Sequence, residues 1–206
     1  MADRKETPTI ERLTGEAILP VLDEVARLRI SVFAAFPYLY DGDGSYERRY
    51  LETYVASPGA VVVVARAPSG EIVGASTAAP LADHQPQLAE SFAENGIDPA
   101  KVFYCAESVL LPDWRGHGIG HRFFEEREAA AREQGFSLAA FCAVIRPPDH
   151  PARPKDYSPL DPFWKKRGYA KMDAIHAPMS WRDIGESEES EKAMQFWVKR
   201  LGDGAL

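Results

Sequence analysis

A chain of 206 residues, 45% hydrophobic and 27% charged, has the make-up of one soluble domain large enough to bury a core without staples. No apolar stretch approaches the ~20 residues of a membrane span, which excludes an integral helical membrane protein. A net charge of −7 disfavours a nucleic-acid partner, which needs a clustered cationic surface, and is more compatible with a cationic substrate. The charged start, Met1-Ala2-Asp3-Arg4-Lys5-Glu6, lacks the apolar centre of a secretory signal and points to the cytoplasm. Cys105 and Cys142 lie inside apolar runs and read as core thiols rather than a disulfide.

In chain order, residues 9–13 form a first strand ended by Thr14-Gly15. A helix follows, with Ile18, Val21, Leu22, Val25, Leu28, Val32, Phe33 and Phe36 on one buried face. Asp23, Glu24, Arg27 and Arg29 fall mostly elsewhere, Pro20 is tolerated near the first turn, and Pro37 stops the helix. An aromatic and acidic loop, residues 38–44, leads to a second helix over about residues 45–55. Residues 61–66 and 72–79 flank Pro68-Ser69-Gly70 and read as an antiparallel hairpin. A polar stretch, 80–100, carries a short helix around residues 87–94. Residues 102–111 are a strongly apolar strand, 118–134 a helix capped by Gly135, and 136–145 a strand covered on both faces, which implies a right-handed parallel crossover. After a proline-rich loop, 146–159, come a short helix at residues 161–167 closed by Gly168, a strand at 169–175, a solvated loop at 185–192 and a last strand at 194–199. No repeat or linker divides the chain, so residues 9–201 are expected to form one domain, with 1–8 and 202–206 as flexible termini.

The chemistry-bearing segment lies between Asp113 and Arg122. Gly116, Gly118 and Gly120 leave successive backbone amides free to converge on an anion at a helix N-terminus, where the dipole also favours negative charge. Arg115 adds a permanent cation, and the whole reads as a phosphate cradle. Just upstream, Glu107 is the only charge in its apolar strand and must be paired, solvated or functional. His117 and His121 are four apart, but Gly118 stands where a zinc-protease pattern needs Glu, and no Gly-x-Ser-x-Gly elbow occurs. The stretch from Asp41 to Glu47 has its glycine too early for a calcium loop and lacks the distal Glu, so no metal is expected.

Arg115-Gly116-His117-Gly118-Ile119-Gly120, following an apolar strand, resembles the signature of the GNAT superfamily of N-acetyltransferases. Phe163-Trp164-Lys165-Lys166-Arg167-Gly168-Tyr169 is similar to the late aromatic segment of that family, and the order of elements matches over roughly residues 9–201. The resemblance implies an α/β (α+β) fold with a mixed central sheet of about six or seven strands and flanking helices. Its hallmark is a parallel strand pair splayed at an acetyl-CoA site. It further implies that Val109, Leu110 and Leu111 pair with the pantetheine arm, that Arg115 to Gly120 hold the pyrophosphate, and that Trp164 lies on the cofactor side. An amine acceptor, a small molecule or a protein, attacks the thioester directly. Glu107 would be the base, with binding of the substrate ammonium as its other reading. The family usually has a tyrosine acid where this chain has Trp164, which leaves Tyr157 as the candidate and Tyr169 as another. Tyr38, Tyr40, Asp41 and Tyr46 lie where the family covers its acceptor, and suit a cationic amine. The competing reading is a non-catalytic acyl-CoA-binding module. A homodimer is the default assembly for such a chain.

Overall fold

Apolar segments whose side chains alternate across a pleat need cover on both sides, and the sheet of this protein is built around two of them. The computed structural model describes residues 7–83 and 86–202; the expected flexible ends lie for the most part outside that range. Seven strands make one mixed sheet: β1 (Thr9–Leu13), β2 (Val61–Arg66), β3 (Ile72–Pro80), β4 (Val102–Leu110), β5 (Leu138–Val144), β6 (Ala170–Met172) and β9 (Met194–Arg200). Their spatial order is β1-β2-β3-β4-β5-β9-β6. Strands β2 and β3 are buried along almost their whole length.

Helices α1 (Leu22–Phe33) and α2 (Gly44–Ala56) cover one face, where Leu22, Val25, Leu51 and Tyr54 pack with Val62, Val64, Ala75 and Val109. Helix α4 (Ile119–Glu133) covers the other, with Ile119 and Phe123 against Val63, Ala65 and Val73. A short α3 (Pro86–Glu94) closes one end through Leu88 and Phe92, and α5 (Asp161–Lys166) sets Phe163 and Trp164 beside Phe124, Phe141 and Trp197. Among the described residues no helix is long and apolar enough to cross a membrane.

The feature that positions the site is the middle of the sheet. Strands β4 and β5 run parallel, but they pair only at Val102↔Leu138, Phe103↔Ala139 and Tyr104↔Ala140. Beyond Tyr104 each keeps its outer partner, β4 with β3 and β5 with β9, while the edges facing each other part. The cause is local: between Ala79↔Tyr104 and Thr77↔Glu107, β3 supplies Ala78 alone and β4 supplies Cys105 and Ala106. Such a bulge bends its strand and ends regular pairing, so β4 turns away from β5 at this point.

Three expectations change. The helix read as continuous from Ile18 to Phe36 is a 3-10 segment, Gly15–Val21, followed by α1, because Pro20 has no N–H to donate to a continuous ladder. Arg29, placed with the solvated residues, is 8% exposed. Residues 185–192 are not wholly a loop: β8 (Ser190–Lys192) pairs antiparallel with β7 (Met179–Trp181) in a separate two-stranded sheet. The buried Lys192 ammonium holds that hairpin, lying 3.4 Å from Asp183 and 3.2 Å from Glu186.

Candidate active site

Strand β4 hands directly into the glycine segment. The Leu111 amide still donates to Val73 of β3, at 2.9 Å, and a 3-10 turn, Pro112–Trp114, then delivers the chain to α4. Gly116 and Gly118 have φ of +79° and +78°, the left-handed region that only glycine enters without strain, and a Cβ at either would meet open space. Gly118 is the N-cap of α4 and supplies no side chain to its amides. Among the described residues, the amides of Gly116, His117, Gly118, Ile119 and Gly120 are engaged in no turn or capping hydrogen bond. They form a set of donors at the positive end of a 15-residue helix, which fits an anion such as a pyrophosphate. Arg115 is exposed beside them, with one long contact to the Leu110 carbonyl at 3.4 Å. His117 turns Nδ1 back to the Arg115 carbonyl at 2.9 Å, while His121 faces Arg167 at 3.3 Å and the Phe163 ring.

Glu107 lies just past the bulge, with its side chain 7% exposed, and the structure surrounds it with groups from α1 and α2. Arg29 forms ion pairs with both Glu107 and Glu47. The Tyr50 hydroxyl donates to Glu107 Oε2 at 3.0 Å and lies 2.8 Å from the Tyr54 hydroxyl. The Arg29 guanidinium also stacks over the Tyr50 ring at 4.6 Å and the Phe33 ring at 5.2 Å. Burial works against its charge, but Glu107, Tyr50 and Glu47 outweigh that and hold it protonated well above the usual arginine range. One guanidinium thus serves two carboxylates.

The loop expected to cover the acceptor is fastened to the β7–β8 hairpin. Arg146, two residues past β5, donates to the carbonyls of Pro37 and Tyr38, each at 2.8 Å, and pairs with Asp183 at 2.7 Å. Trp181 Nε1 donates to the Tyr38 carbonyl at 3.0 Å, and Tyr40 bridges to Asp183. Leu39 adopts φ +55°, a strained conformation for a side-chain-bearing residue, between these anchors. Tyr38 packs on Phe33 and Trp181. Burial, then the charges of Cys142, Glu107 and Tyr157, raise its phenol above the ordinary range. Burial and the Glu47 carboxylate act likewise on Tyr40. Asp41 pairs with Arg182 at 2.7 Å, and Tyr46 is exposed on the first turn of α2, whose N-cap is Asp43.

The late aromatic segment divides by position. Trp164 packs on Phe141 and Trp197, with ring centres 5.1 and 5.2 Å away. Tyr169 is buried and donates to Glu128 at 3.1 Å. Tyr157 is half-buried on the 146–160 loop, edge-on to Phe36 at 4.7 Å and under Arg153; burial raises its phenol. Sequence reasoning missed Arg29, Glu47, Tyr50 and Tyr54. Their signal is helical spacing: Glu47, Leu51 and Tyr54 lie four and three apart on the buried face of α2.

This concentration of buried acids sets an alkaline limit. Burial first, then Glu107, raises Tyr50 and Tyr54, and burial pushes the Cys142 thiol from about 9 up to about 12. A group whose folded value is raised stabilises the fold fully below its unfolded value and ceases to do so as pH rises through the folded one. Urea unfolding should therefore show stability falling steeply between pH 9 and about 12, as the unfolded thiol and phenols ionise first. A flat profile over that window would contradict the buried cluster.

Residues 27–154 match the acetyltransferase (GNAT) family, and the chain belongs to that family. Its reaction class is therefore acetyl transfer. The fold is similar to that of a GNAT-family acetyltransferase from Staphylococcus aureus, with 12% identity, 94% of this chain and 100% of the other covered, and a TM-score of 0.61. A phosphinothricin acetyltransferase from Sinorhizobium meliloti in complex with acetyl-CoA is 17% identical, covers 96% of this chain and 90% of its own, and has a TM-score of 0.57. A candidate acetyltransferase from Salmonella typhimurium with its cofactor acetyl-CoA is 12% identical over 97% and 96%, with a TM-score of 0.60. At these identities the likeness is one of fold. No curated protein sequence matches significantly.

Proposed function

We propose that this GNAT protein transfers an acetyl group from acetyl-CoA to a primary amine, of a small molecule or a protein, by direct attack. The observation that carries the reading is the parallel ladder that ends at Tyr104↔Ala140: past it β4 has no partner from β5 and runs on towards the amides of Gly116 to Gly120, with Glu107 on the same strand.

In this reading those amides and Arg115 hold the pyrophosphate, and the unpaired edge of Val109, Leu110 and Leu111 meets the pantetheine arm. Bound acetyl-CoA supplies the acetyl group as an activated thioester. The Glu107 carboxylate draws the acceptor's ammonium, with Tyr38, Tyr40, Asp41 and Tyr46 along the approach. Glu107 uses two of its lone-pair directions on Arg29 and Tyr50 and retains others for the acceptor's proton, directly or through water. Trp164 has no acidic proton to give and is assigned to the cofactor, so Tyr157, whose phenol burial raises further, is the proposed donor to the departing thiolate.

Gly118→Glu tests the donor half. A carboxylate at the N-cap of α4 occupies the place and repels the charge of a pyrophosphate, so titration calorimetry should show acetyl-CoA affinity reduced about 100-fold or more. The positive φ should cost about 1 kcal/mol of stability in thermal unfolding. Equal affinity in the variant would overturn the cradle as the anion site.

A further inference from the structure

Helix α4 carries a second cation into the core, on the opposite side of the sheet from Arg29. Arg127 is 1% exposed and forms no ion pair among the described residues, whereas its neighbour Glu128 pairs with Lys199 at 2.8 Å. Its donors go to backbone carbonyls instead. Nε donates to Phe123 of its own helix at 3.2 Å, and Nη1 leaves the helix for the carbonyl of Glu107 at 3.0 Å and that of Thr77 at 3.4 Å. The guanidinium lies over the Phe124 ring at 4.8 Å.

A buried guanidinium held by neutral carbonyls and one ring face, with no counter-charge paired to it among the described residues, is costly to desolvate, so its position calls for a physical reason. The two carbonyls supply one. Thr77 and Glu107 are the first pair after the bulge, where the interrupted ladder leaves β4 with less backbone restraint. Arg127 binds both strands of that pair at one nitrogen. Glu107 is thereby gripped twice, its carbonyl from α4 and its carboxylate from α1 and α2. Because α4 is also the helix whose N-terminus forms the cradle, Arg127 fixes the opened strand relative to the anion site.

We infer that Arg127 is a positioning residue that holds β4 at the bend needed for its free edge to receive the pantetheine arm, acting through the Thr77 and Glu107 carbonyls. The inference rests on the proposed acetyl-CoA site. Its consequence is selective: loss of Arg127 should harm recognition of the arm and spare recognition of the phosphates.

The test compares acetyl-CoA with ADP, which carries a pyrophosphate and no arm, by titration calorimetry on the full chain. Arg127→Met should weaken acetyl-CoA about tenfold or more while ADP changes by less than about twofold. Arg127→Lys, which keeps the charge and a donor, should restore most of the acetyl-CoA affinity. Arg127→Gln gives the same selective loss as Met, and provides the reading if Met does not fold. Ala130→Gly, on the same helix but away from the carbonyls, should lower Tm without changing the ratio of the two affinities. Parallel loss of both ligands, or unchanged affinities in folded variants, would overturn the inference. Wild-type protein that binds neither ligand would remove the acetyl-CoA site itself, a separately recognisable result.

Discussion

Replacing Arg29 by leucine should destabilise the protein by about 3–5 kcal/mol, read as a shift in the urea midpoint. The substitution leaves Glu47, fully buried, and Glu107, 7% exposed, facing one another without their shared cation. It also strips the cation from the faces of Phe33 and Tyr50. The penalty comes from stranding charge, not from losing an intrinsically strong pair, so a second substitution distinguishes the two. Arg29→Leu combined with Glu47→Leu should recover only part of the loss, because it removes one of the two stranded carboxylates and leaves Glu107 without its cation. A loss below about 1 kcal/mol in the single variant would put Arg29 in the class of exposed ion pairs and contradict its enclosure.

The second large effect is on rate. Glu107→Gln keeps the shape of the side chain and an acceptor for Tyr50, but it cannot take a proton. Under the proposed mechanism kcat should fall about 10²- to 10⁴-fold. Acetyl-CoA affinity should stay within about twofold, because the cradle makes its contacts elsewhere. A binding residue that merely attracts the ammonium would give the other pattern, a raised KM for the amine with kcat little changed. The same comparison separates catalysis from an acyl-CoA-binding module, in which no amine would release thiol.

The features legible in the sequence were those set by contiguous residues. The inner strands of the main sheet were marked by apolar runs, and the cradle by three alternating glycines, two of which require a positive φ. The splayed pair was expected from family resemblance, whereas the bulge that produces it depends on the register of β3 against β4 and leaves no sign in either strand alone. The charged cluster was illegible for a related reason. Arg29 lies four residues after Val25 and seven after Leu22, on the inward stripe of α1, but an arginine there reads as solvated until partners arrive from α2 and β4. The β7–β8 hairpin escaped notice because its stability comes from Lys192, Asp183 and Arg146, which are scattered over 47 positions of sequence and look like surface charge in isolation. Arg127 shares this property: its partners are carbonyls, which no pattern of side chains reveals.

Acetyl transfer to an amine is tested by thiol release from acetyl-CoA across a panel of small primary amines and lysine-containing peptides, with wild type beside Glu107→Gln. Release should depend on the identity of the amine, saturate with it, and be largely lost in Glu107→Gln. Binding of acetyl-CoA with no amine-dependent release, or release undiminished by Glu107→Gln, would contradict it.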